Sequence, residues 1–71
     1  MATAVLKVSG MSCDHCVRAV REALERVDGV ASARVDLEAG RAVIEYSEGS
    51  VTARALAGVV MDEGYTAEEI P

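Results

Sequence analysis

The amino-acid sequence predicts an α+β fold: a two-layer sandwich in which a four-stranded antiparallel sheet carries two helices on one face. Three observations point there. Apolar residues alternate with polar ones in four short stretches, they recur every three or four residues in two longer ones, and glycines or turn residues separate the stretches in the order β-α-β-β-α-β. A chain of 71 residues has material for one core and not two, so residues 1–71 are expected to form one domain.

Each element follows from its residues. In "TAVLKVS", residues 3–9, Ala4, Leu6 and Val8 fall on one side and Val5, Lys7 and Ser9 on the other, which predicts a strand ended by Gly10. From Cys13 or Asp14 to about Asp28, Val17, Val20, Leu24 and Val27 recur at helical spacing while Arg18, Arg21, Glu22 and Glu25 lie elsewhere. This predicts an amphipathic helix closed by Gly29. "VASARVDLE" and "RAVIEY" alternate again, and "EAG" between them has hairpin length with a glycine for positive φ. Thr52 is a good N-cap, and Val51 can staple to Leu56. A second helix is expected to about Glu63, with Leu56, Val59 and Val60 inward and Gly64 as its stop. "YTAEEI" is a short last strand.

This order is the split βαβ arrangement of the ferredoxin-like plait. Right-handed crossovers put both helices on one face and leave Lys7, Arg34, Asp36 and Glu45 to water on the other. Because chain direction reverses at every connection, the loop after the first strand, the 38–40 hairpin and the loop around Gly64 share one end of the domain.

Composition excludes several functions. Hydrophobic residues at 51% and charged residues at 27% match a globular protein rather than a disordered one. A net charge of -5 and only two aromatic residues, Tyr46 and Tyr65, disfavour nucleic acid, whose binding depends on cations and stacking. No apolar run is long enough to span a bilayer, and the start of the chain shows neither a basic n-region nor a cleavage site. A cytoplasmic location with no membrane partner is expected, where paired cysteines serve metals or catalysis more often than they form a permanent disulfide.

The chemistry gathers in "GMSCDHC", residues 10–16, which holds both cysteines, the one histidine and Met11. Cys13 and Cys16 are one helical turn apart, so their sulfurs can converge. Two thiolates on opposite sides of one ion sit about 4 to 5 Å apart if the bonds resemble the ~2.3 Å of zinc thiolates. The helix start and Arg18 are expected to lower both thiol pKa values, against the opposing effect of Glu38, Asp62 and Glu63. Two soft sulfurs suit a low-coordinate soft ion, copper(I) or adventitiously mercury(II). Closed zinc sites ask for four ligands, and hard ions prefer oxygen.

Three neighbours could modulate the pair. Met11 is either a thioether ligand or a plug of the core beneath the site. His15 should point away from the face shared by the cysteines, as a solvent-facing modulator of copper-bridged pairing, with a third-ligand role as the other reading. Tyr65 is either a core residue or a lid whose hydroxyl approaches a cysteine sulfur. Asp14 reads as a first-turn carboxylate favoured by the helix dipole, and Arg18 as a docking contact.

A strand running into "GMSCDHC" and an amphipathic helix, followed by "LERVDGVASARVDLEAGRAVIEY" and "DEGY", resembles the heavy-metal-associated domain family (HMA) over essentially the whole chain. Within it the chain looks most like small bacterial copper chaperones. The resemblance implies metal ligation by Cys13 and Cys16 and delivery of Cu(I) to the metal-binding domain of a copper-transporting P-type ATPase, or to a copper-sensing repressor. Ser12 before the first cysteine fits the copper branch, and Tyr65 stands where eukaryotic copper chaperones carry a lysine.

The function expected is a copper(I) metallochaperone without enzymatic activity, capable of a copper-bridged homodimer. Two alternatives remain at this level: a metal-binding domain excised from a copper ATPase, and a thiol-disulfide oxidoreductase with Cys13 as nucleophile. The second lacks the chain length and element order of the thioredoxin-like fold.

Overall fold

A computed structural model of the chain describes residues 1–70. The elements are β1 (Ala2–Ser9), α1 (Asp14–Glu25), β2 (Val30–Asp36), β3 (Arg41–Tyr46), α2 (Ala53–Asp62) and β4 (Thr66–Glu69). The sheet order is β2-β3-β1-β4, and every neighbouring pair is antiparallel. This is the ferredoxin-like fold that the periodicities predict.

The alternation in the strands decides what lies inside. Ala4, Leu6 and Val8 of β1, Ala33 of β2, Ala42 and Ile44 of β3 and Ala67 of β4 are buried, and they meet Val20 and Leu24 of α1 and Leu56, Ala57 and Val60 of α2. No polar or charged residue is buried among the described residues. Lys7, Arg34, Asp36 and Glu45 are exposed on the open face, as the two-layer arrangement requires. No helix among the described residues is long and apolar enough to cross a membrane.

The boundaries differ from the sequence expectation in instructive ways. Helix α1 stops at Glu25 rather than near Asp28. The Val27 N–H bonds the Leu24 carbonyl at 3.1 Å, a tighter i to i−3 turn, and Val30 then bonds Val27 at 3.1 Å, so the chain leaves helical geometry before Gly29 is reached. In α2 the buried stripe includes Ala57, whereas Val59 is only partly covered against the core. Thr52 is the N-cap as expected, its hydroxyl oxygen accepting the Ala55 N–H at 3.1 Å. Strand β4 begins one residue after Tyr65, and its pairing continues past Glu69 through the Ile70 N–H to the Val5 carbonyl at 2.8 Å.

Three connections meet at one end of the sheet. The Val8 N–H bonds the Gly40 carbonyl at 2.7 Å, which ties the β2–β3 hairpin to the end of β1. Gly10 then turns the chain out of the sheet at φ +100, and a Cβ there would lie 3.4 Å from Cδ1 of Tyr65. That backbone conformation calls for glycine. The first-strand loop and the approach to β4 are thereby held side by side.

Candidate metal centre

The centre is built on the passage from β1 into α1. Met11 is half-buried and packs against the hydrophobic core. Cys13 is the N-cap of α1, with extended backbone at φ -157 and ψ 169, and its side chain makes no capping bond. Its carbonyl does the capping work instead, accepting the N–H of Cys16 at 3.1 Å and of Val17 at 3.3 Å. A serine or aspartate here would turn its oxygen onto the helix amides. The Cys13 sulfur is free for other contacts.

It meets Cys16 at an Sγ to Sγ distance of 3.5 Å. Both cysteines are free thiols, Cys13 exposed and Cys16 half-buried. The spacing is that of a sulfur–hydrogen–sulfur contact, shorter than the 4 to 5 Å expected for two sulfurs on opposite sides of an ion. At this separation, bonds of ~2.3 Å to a shared ion would meet at about 100°. A straight arrangement would need the sulfurs to part by about 1 Å, a movement suited to the exposed Cys13 side chain.

The electrostatics favour the anion at Cys16. Its pKa is lowered to about 6, first by a hydrogen bond with the Ser12 main chain, next by the Tyr65 hydroxyl and then by the Cys13 side chain, with burial opposing. Hydrogen-bond donors near a thiol stabilise its charged form. Tyr65 shows the reciprocal effect: its phenol pKa is raised, chiefly because its proton is engaged with Cys16, and Glu63 adds a small push in the same direction. The Arg18 charge expected to help from the exposed side of α1 is not among the causes.

The Tyr65 ring packs against the core, and interaction with Cys16 is the first cause of its raised phenol pKa. His15 is exposed in the first turn of α1, and Glu38, Asp62 and Glu63 are exposed as well. Among the described residues no group of three or more His, Cys, Asp or Glu side chains is placed to hold an ion together. The cysteines therefore stand as a pair. The sequence points to main-chain N–H groups at the helix start in general, and Ser12 is the particular residue that the pattern does not single out.

Residues 5–66 match the model of the heavy-metal-associated domain. The copper chaperone CopZ of Staphylococcus saprophyticus is 45% identical over 65 residues, covering 92% of this chain and 96% of the relative. Among solved structures, a copper binding domain from HMA7, a P-type ATPase, superposes with a TM-score of 0.98 at 31% identity, covering 100% of this chain and 96% of that one. The apo-form copper chaperone of Enterococcus hirae gives a TM-score of 0.90 at 37% identity, with 94% and 98% covered. With its cysteine pair at the mouth of a ferredoxin-like sandwich, the chain belongs to the heavy-metal-associated domain family.

Proposed function

We propose that residues 1–71 act as one cytoplasmic copper(I) metallochaperone unit, in which Cys13 and Cys16 carry the ion as cargo and pass it to a partner's own cysteine pair. The observation that carries this reading is the pair of accessible sulfurs 3.5 Å apart, one of them with a pKa of about 6, so that a thiolate is present at neutral pH. The likeness to copper chaperones over nearly their whole length supports the same choice.

Low coordination is the mechanism. Soft thiolates hold copper(I) tightly, yet two ligands leave the ion open to an incoming sulfur. A partner thiolate adds before an old one leaves, and the ion crosses through three-coordinate states without being released to water. Cys13, exposed at the helix cap, is the sulfur a partner reaches first. Cys16, held by Ser12 and Tyr65, is the anchor. A metal-binding domain of a copper-transporting P-type ATPase is the partner of choice, and weak docking helped by Glu38, Asp62 and Glu63 calls for basic residues around that partner's site. No catalytic constellation is needed.

A copper(I) titration against a strong chelator tests the proposal. Wild-type protein should compete for one ion per chain, and Cys13→Ser/Cys16→Ser should not compete at all. Undiminished uptake by the double variant would sink the reading. A second reading, a metal-binding domain within a copper ATPase, is favoured by the TM-score of 0.98 to such a domain. Immunoblotting of the native protein separates them: a chaperone runs near the 7.4 kDa of this chain, a transporter far above it.

A further inference from the structure

The two edges of the sheet are not alike. An edge strand leaves a row of main-chain N–H and C=O groups without a sheet partner, and folds commonly protect it with charge or brevity. Edge β4 has both protections: four residues long, it carries Glu68 and Glu69, both exposed. A second copy laid there would set carboxylates against carboxylates. Edge β2 is longer, seven residues, and its second half carries one charge of each sign, Arg34 and Asp36, rather than charges of one sign. Beyond the irregularity between Val30 and Ser32, its register with β3 runs unbroken to Asp36.

The residues on that half are self-complementary. Arg34 and Asp36 are exposed on the open face, and the ion pairs among the described residues do not include Arg34. Val35, on the helix side, and Leu37, in the hairpin turn just after β2, are only half covered. Together with Val17 of α1 and Arg41 of β3 these four line a groove of about 570 Å³.

We propose that the β2 edge is a self-pairing surface, on which a second copy of this chain docks antiparallel about a two-fold axis at Val35. In this register Arg34 of each copy lies opposite Asp36 of the other, giving two ion pairs on the open face. Val35 meets Val35 on the helix side, over the groove. An axis at Arg34 would oppose arginine to arginine, and one at Asp36 would oppose aspartate to aspartate. A slip of one residue would put the charges on the helix side. Charge and alternation therefore select a single isologous register. The net charge of -5 on each copy opposes association, so the equilibrium is weak and concentration-dependent. It needs neither the cysteines nor a metal.

Sedimentation equilibrium on reduced, metal-free protein up to millimolar concentration tests this, with circular dichroism confirming the fold of each variant. Wild type should show a monomer–dimer equilibrium that survives Cys13→Ser/Cys16→Ser. Arg34→Asp alone and Asp36→Arg alone should each weaken self-association about tenfold or more by opposing like charges. Mixing the two variants should restore dimers, because every cross-strand pair then joins opposite charges. A strictly monomeric wild type, a dimer abolished by the cysteine substitutions, or a mixture no tighter than its components would each overturn the proposal.

Discussion

At the scale of single residues, the centre depends on where hydrogen-bond donors point. The C-x-x-C spacing was enough to bring two sulfurs to one side of a helical turn, and they do lie 3.5 Å apart. The source of the lowered Cys16 pKa was only half legible. The sequence points to the unpaired amides of the helix start, with the Arg18 charge as an addition. The largest cause is the Ser12 main chain and the next is Tyr65, while Arg18 is not among them; the general role of main-chain groups was legible, but not which residue supplies it, because every residue has the same amide. Alkylation of Cys16, followed by mass spectrometry across pH, should rise through an inflexion near pH 6, since the thiolate is the nucleophile. Below that pH the sulfur is protonated and slow; above it the rate levels off. Tyr65→Phe removes a donor to the anion, so the inflexion should move to higher pH. An unmoved inflexion would show that the hydroxyl does not hold the sulfur.

At the scale of elements, periodicity identified every helix and strand, while ends were set by contacts the pattern does not contain. Helix α1 ends early because Val27 tightens the last turn, and the three extra residues looked helical only because Val27 falls on the apolar stripe. Glycines show the same division between local pattern and tertiary contact. Gly58 lies within α2, and a Cβ added there meets nothing within 4 Å. Gly58→Ala should therefore stabilise the domain by about 0.5–1 kcal/mol, through the lower conformational freedom of alanine in the unfolded chain. Gly29 sits at φ +96 with a Cβ position only 2.5 Å from Cβ of Ser50. Gly29→Ala should cost at least about 1 kcal/mol from the left-handed backbone alone, with the clash adding to it. Urea midpoints of the two variants should move in opposite directions; equal shifts would mean that the backbone at Gly29 relaxes freely.

At the scale of the whole molecule, the cysteine-bearing loop adds no fully buried residue to the core, although Met11 packs against it. Among the described residues the twelve buried ones are all apolar, and none belongs to the segment from Gly10 to Cys16. The open face hid its β2 edge from sequence reading, because exposed alternation looks the same whether a strand is central or terminal. The fold should therefore stand without cargo, unlike a zinc finger, whose structure is lost with its ion. A chain this short has a total stability of roughly 4–10 kcal/mol, and Leu24→Ala, at a fully buried position, should remove about 2–5 kcal/mol of it. Copper(I) held by the native pair alone adds about 2.7 kcal/mol when present at a hundred times its dissociation constant. Chelation of wild type should thus lower the melting temperature without changing far-ultraviolet circular dichroism, whereas metal-free Leu24→Ala should sit near its unfolding threshold and regain native signal as copper is added. The gain must vanish when Cys13→Ser/Cys16→Ser is placed in the same background, because mass action then has no site to act through. If chelation alone unfolds the wild type, the ion is part of the structure and not its cargo.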